Sequence, residues 1–208
     1  MQELLNEIQL LKHSDTKTRI ESRLTEFSVI KDQSKEEIFK ELCFCIMTAN
    51  CSAMKCIEVH EHIGENFLTF SEIELAKKFK ELGYRFPNIR SNFIIKAREN
   101  LSMLEDIIKS DNDENYLREW IVKNVKGIGY KEASHFLRNI GYTDYAIVDF
   151  HIVDLLVKYN IIEKPKTMTK SIYLEIEKIL KAIGNQLDLN MAELDLYLWF
   201  LETGKILK

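Results

Sequence analysis

The fold turns on the stretch Val125–Ile152, VKGIGYKEASHFLRNIGYTDYAIVDFHI. It opens with Gly127-Ile128-Gly129, a bend too tight for residues carrying a Cβ. After the bend, Ala133, Phe136, Leu137 and Ile140 recur at helical spacing, and Gly141 sits where a helix C-cap belongs. Upstream, Tyr116, Leu117, Trp120, Ile121 and Val125 keep the same period. The segment predicts helix, glycine hairpin, helix.

Such a hairpin leaves the first amides of its second helix without internal partners. Those amides and the positive dipole end make an anion site, with Lys123 and Lys126 beside it. A nucleic-acid phosphate fits there without any base contact. Gly127-x-Gly129 alone also describes an ordinary tight turn between helices.

Two further residues add chemistry. Lys131 falls in the first turn of the second helix, where the positive dipole end disfavours an ammonium and favours the free amine that a nucleophile needs. Asp149 precedes an apolar periodic run (Ile152, Leu155, Leu156) and reads as its N-cap, which keeps the carboxylate ionised. The helix Tyr130–Ile140 is roughly 16 Å long at 1.5 Å per residue. The stretch Tyr142–Val148 extends about 23 Å. Asp149 can therefore return to the level of Lys131. A neutral amine close to an ionised carboxylate is a catalytic pair.

Composition bounds the class. The chain has 208 residues, enough for one domain or two small ones, and 46% of them are hydrophobic. No apolar run approaches the ~18 residues of a membrane span. The stretch MQELLNEIQLLKH lacks the basic region of a signal peptide, so a soluble cytoplasmic protein is expected. Seven Gly and two Pro predict long helices with few turns. Net charge is −4, but residues 77–98 carry Lys77, Lys78, Lys80, Arg85, Arg90, Lys96 and Arg98 against Glu81 alone. That cluster is a candidate phosphate surface, or else a solvated helix face. Cys43, Cys45, Cys51 and Cys56 form no C-x-x-C pair, which argues against zinc and for buried thiols. His60-Glu-His62 lacks the spacing of a metal grip and reads as surface.

Caps and periodicity predict helices over Met1–Leu11, Asp15–Val29, Ile38–Ala49, Ser52–Ile63, a helix from the Ser71 cap to Gly83, Asn88–Asn100, Leu101–Ser110 and Asp113–Val125. Tyr130–Ile140, Phe150–Tyr159, Ser171–Ile183 and Met191–Thr203 follow. Ser34–Glu37, Ser71–Glu74 and Asn190–Glu193 read as capping boxes. Tyr145–Val148 is the one extended candidate. The predicted fold class is all-α.

At Gly127-Ile128-Gly129-Tyr130-Lys131 and Val148-Asp149-Phe150-His151 the chain resembles the helix-hairpin-helix superfamily of DNA glycosylases. Glu41–Asn50, Lys126–Asn139 and the block Asp195–Lys208 resemble its archaeal and bacterial 8-oxoguanine DNA glycosylase/AP lyase subfamily, and the likeness covers nearly the whole chain. The resemblance implies two helical bundles with a DNA groove between them. One bundle is 32–140; the other joins 1–31 to 141–208. It implies excision of 8-oxoguanine from double-stranded DNA by base flipping, with Lys131 attacking C1′, Asp149 offsetting positive charge on the sugar, then a Schiff base and β-elimination. The same chemistry on another oxidised base, a non-catalytic hairpin module and a helical interaction protein are the rivals.

It further implies His135, Trp199 and Lys208 at the base and His151 at a phosphate. The tail Gly204–Lys208 is too short for a helix, and its terminal lysine reaches the base pocket in the subfamily. Asn50 stands where relatives carry a gap-filling residue, though Asn also suits a helix C-cap. Arg85 or Phe86 stands at a second wedge, or in a plain turn. Lys126, Gly127 and Gly129 would hold the backbone. No organic cofactor and no structural metal are expected, and relatives allow a monovalent cation on the hairpin carbonyls. The iron–sulfur cysteines of some related glycosylases have no counterpart after Asp149. A monomer is expected. Two departures stand out: Cys51–Cys56 replaces a segment with small Gly residues, and Phe150 replaces a usually basic residue.

Overall fold

The structure, a computed structural model, describes residues 1–110 and 114–208, the side chains of 114 and 115 excepted. The expected start of a helix at Asp113 lies outside the described residues. Among these, the chain forms thirteen α-helices and no strand. They are α1 (Gln2–Lys12), α2 (Asp15–Ile30), α3 (Lys35–Thr48), α4 (Ala53–Ile63), α5 (Asn66–Thr69), α6 (Glu72–Glu81) and α7 (Pro87–Glu99). Then come α8 (Leu101–Lys109), α9 (Glu114–Asn124), α10 (Tyr130–Asn139), α11 (Phe150–Lys158), α12 (Lys170–Leu187) and α13 (Met191–Thr203). The chain is all-α, and no described helix is long and apolar enough to cross a membrane.

The helices group into two units, Ile30–Phe136 and Met1–Val29 with Leu137–Lys208. The division falls inside α10. Its last turn goes with the second unit because Arg138 donates to Asp195 Oδ2 at 2.7 Å and lies 4.8 Å from the Phe27 ring centroid.

Within the unit 30–136, α3 is buried on every side from Glu41 to Thr48, as a helix apolar all round must be. It packs against α4, α5, α7 and α8. Ser34 accepts from the Glu37 amide, but the Glu37 carboxylate bonds Lys40 instead of returning, so only half of that predicted capping box forms. Ser71–Glu74 and Asn190–Glu193 form complete boxes. A helix end leaves carbonyls without partners. At the end of α3, Tyr84 Oη (2.7 Å) and Cys56 Sγ (3.4 Å) donate to Met47 O, and Arg90 Nη2 donates to Ala49 O at 2.9 Å. Cys43, Cys45 and Cys56 are buried and Cys51 is half-buried, with no disulfide among them. His60 is no surface residue: its Nε2 bonds Lys40 O at 2.8 Å, and its ring meets Phe44 and Phe67.

In the other unit, α13 packs with α1, α11 and α12. Tyr145–Val148 joins no ladder. Its polar groups bond α12 side chains instead: Glu177 accepts from the Ala146 amide, while Tyr173 Oη accepts from the Val148 amide and donates to Ala146 O. The helix predicted to stop at Ile183 continues to Leu187. Gly184 there allows close approach, since a Cβ would lie 2.7 Å from Leu189 O. Phe200 is half-buried, with the Arg19 guanidinium 5.8 Å from its ring centroid.

Candidate functional site

The hairpin between α9 and α10 is built by one glycine more than by two. Gly127 has φ +84°, and a Cβ on it would stand 2.1 Å from Phe93 Cδ2. Gly129 has no positive φ, and a Cβ on it would meet only Glu132 Oε2, at 3.4 Å. The expectation that both positions exclude a Cβ holds for Gly127 alone. Two amides of the turn that precedes α10 have partners. Ile128 N donates to Val125 O, and Gly129 N donates to Glu132 Oε2 at 3.2 Å. The buried Ile128 side chain pins the loop from below. Lys126 is exposed, its Nζ 5.7 Å from the Phe93 ring centroid.

Lys131 is half-buried in the first turn of α10. Several contacts hold that turn in place. Tyr130 Oη donates to Glu119 Oε1, the Arg118 guanidinium lies 5.2 Å from the Tyr130 ring centroid, and Arg118 Nη1 donates to Ser134 Oγ at 3.3 Å. Lys131 stands near Cys56. Burial and the adjacent Cys51 push the Cys56 thiol well up, against the opposing charges of Lys131 and Arg90. His135, one turn on, is 7% exposed and meets Phe44 edge-on at 5.7 Å.

The wedge candidates come together in this unit. Asn50 is exposed at φ +58°; it follows the extended Ala49 that ends α3, in a turn closed by Cys51 N donating to Thr48 O at 3.2 Å. Arg85 Nη1 donates to Asn50 O at 3.2 Å, and its guanidinium lies 4.9 Å from the Phe86 centroid. Arg90 lies 5.7 Å from Phe86 and 5.5 Å from Phe93. The 77–98 cluster is therefore not uniformly a phosphate surface. Arg90 is buried and holds Ala49 O, and Arg98 donates to Phe67 O and Phe70 O. Burial lowers the Arg98 pKa from its ordinary value. Phe93, Arg118 and Glu119 carry no signal in the local sequence, and the buried role of Arg90 carries none either; their roles depend on partners far along the chain.

In the other unit Asp149 caps α11, its Oδ1 accepting from Ile152 N at 2.9 Å. Phe150 is 68% exposed, with its ring centroid 4.0 Å from that of His151. His151 meets Trp199 edge-on at 4.9 Å, and its Nδ1 is 3.9 Å from Glu202 Oε1. Trp199 Nε1 is buried with no hydrogen-bond partner among the described residues. The tail turns at Gly204 (φ +67°) and leaves Ile206, Leu207 and Lys208 half-buried. Among the described residues, no group of three or more His, Cys, Asp or Glu is placed to hold a metal ion.

A family profile described as 8-oxoguanine DNA glycosylase matches residues 20–189. A Korarchaeum cryptofilum protein named 8-oxoguanine DNA glycosylase/AP lyase is 52% identical over 207 residues, covering 99% of this chain and 98% of its own length. The crystal structure of the Methanocaldococcus jannaschii 8-oxoguanine DNA glycosylase superposes with TM-score 0.94 at 50% identity, covering 100% of this chain and 97% of that one. The same organism's 8-oxoguanine glycosylase/lyase in complex with a 15mer DNA containing 8-oxoguanine gives TM-score 0.95 at 48% identity, covering 99% and 100%. Sequence and fold agree along the full length, and the chain belongs to the 8-oxoguanine DNA glycosylase family.

Proposed function

We propose that this protein is a bifunctional DNA glycosylase/AP lyase that removes 8-oxoguanine from duplex DNA. The observation that carries the reading is Lys131, a half-buried amine in the first turn of α10, directly after the Gly127 hairpin. Its Nζ, as the free amine, is the nucleophile. Lys131 Nζ attacks C1′ of the flipped nucleotide, the C1′–N9 bond breaks, and the base leaves with the bond's electron pair. Asp149 offsets positive charge developing on the sugar. The nitrogen then gives a proton to the departing base, its lone pair forms the C1′=N bond as the C1′–O4′ bond breaks, and O4′ takes up a proton. The protonated Schiff base makes the C2′ proton acidic, and its loss expels the 3′ phosphate and nicks the strand. His135, Trp199 and Lys208 contact the base, and His151 contacts a phosphate. Asn50, Arg85 and Phe86 fill the gap left in the duplex. Lys126 and Gly127 hold the backbone beside the hairpin. The protein acts as a cytoplasmic monomer without an organic cofactor, and a monovalent cation on the hairpin carbonyls is compatible with this chemistry.

The test is a panel of lesion-bearing duplexes with borohydride trapping. Lys131→Gln is expected to abolish base release and trapping while duplex binding survives. Trapping of the variant at wild-type yield overturns the assignment. Preferred trapping on an oxidised pyrimidine moves the same chemistry to another lesion.

A further inference from the structure

Glu132 accepts from Gly129 N and places a carboxylate beside the hairpin. Positive charge gathers one step away, on α7. Phe93 is the platform. Gly127 is packed against its ring, and Lys126 Nζ lies 5.7 Å from its centroid. Lys96 follows Phe93 by three residues on α7, which puts the two side chains on one face of the helix. Both lysines are exposed. Among the described residues, the salt bridges of this unit include neither of them. Lys78, by contrast, pairs with Glu81 at 3.5 Å. The Lys126 ammonium thus lies over the ring, and Lys96 rises from the same face of α7 one turn on. Their closeness shows in the Lys126 pKa, which the contact with Lys96 and the Lys96 charge hold below the ordinary lysine value. Like charges held side by side repel, and an anion placed between them relieves the repulsion.

We propose that Lys96 and Lys126, set side by side by Phe93, share one phosphodiester of the DNA backbone, each ammonium donating to one non-bridging oxygen. Lys96 is then a DNA-binding residue of the enzyme, and Phe93 the residue that positions the pair. The inference rests on the DNA-binding reading above.

The test is the salt dependence of wild-type and variant binding to a duplex carrying a tetrahydrofuran abasic analogue, which the enzyme cannot cleave. Lys96→Gln and Lys126→Gln are each expected to weaken binding by about threefold to tenfold at 0.1 M salt. The Lys96→Gln/Lys126→Gln double variant should flatten the log–log slope by about one unit, the signature of one lost phosphate. Lys96→Arg should keep most of the affinity. Lys181→Gln, an exposed lysine on α12, removes the same charge elsewhere and should leave the slope as it is. Lys96→Gln binding like wild type overturns the inference. So does a double variant that loses about two units, since two separate phosphates would then be held. An equal loss in Lys181→Gln reduces the effect to bulk charge and overturns it as well. If the wild type fails to bind the duplex, the DNA-binding reading itself falls, which separates the two failures.

Discussion

Gly127→Ala tests the hairpin where backbone and packing act together. At φ +84° a Cβ costs about 1–2 kcal/mol of left-handed strain. The same Cβ would lie 2.1 Å from Phe93 Cδ2 and 2.9 Å from Cγ, so swinging the ring tip alone does not clear it. Overpacking of this kind costs about 1–3 kcal/mol. Escape by displacing the ring would break its contacts with Arg90 and Lys126. The expected total is about 3 kcal/mol by urea denaturation. In a Phe93→Ala background the collision is gone and only the strain remains, about 1 kcal/mol. The double-mutant cycle should therefore show a coupling of about 2 kcal/mol. Equal cost in both backgrounds would refute the packing half of the reasoning. A total below about 1 kcal/mol in the wild-type background would refute the strain as well.

Asp149→Asn keeps an oxygen for the Ile152 amide and should melt near the wild-type temperature, whereas Asp149→Ala should lose about 1 kcal/mol of cap stability. Both should lose most of the single-turnover rate of base release; a destabilised Ala variant with normal turnover would leave Asp149 purely structural. Tyr159 should ionise late in a spectrophotometric titration, because burial, then the hydrogen bond with Glu7 and the nearby Glu7, Glu3 and Glu202 carboxylates, push it up to about 12. Its neutral form is favoured in the fold, so its stabilisation is complete below the unfolded value of about 10 and is lost as pH rises through the folded one. Glu7→Gln should bring the Tyr159 midpoint down; an unmoved midpoint would discount the carboxylates.

Much of this protein is written in local sequence. Helix starts at Ser71, Asn190 and Asp149 were legible because a cap is a contact over three residues, and the structure forms each of them. The all-α class followed from periodicity and scarce glycine for the same reason. The position of Lys131 in the first turn of α10 likewise needed only the hairpin and the helix period. Local pattern failed where the deciding partner is distant. Gly184 reads as a helix end, yet α12 passes through it because Leu189 and Met191 come back against that face. Tyr145–Val148 reads as extended, but its partners are decided at a distance: Glu177 accepts from the Ala146 amide, and Tyr173 bonds the Val148 amide and Ala146 O. Arg90 and Arg98 read as surface charge, yet each satisfies backbone oxygens that no local partner reaches. The two glycines of the hairpin look alike in sequence, yet the positive φ of Gly127 and its contact with Phe93, more than thirty residues earlier, make it the one that cannot carry a Cβ. Hydrogen bonds and contacts within a few residues are set by the order of the chain. Those that close over long loops depend on which helices the burial of apolar surface brings together, and that the tertiary structure alone decided.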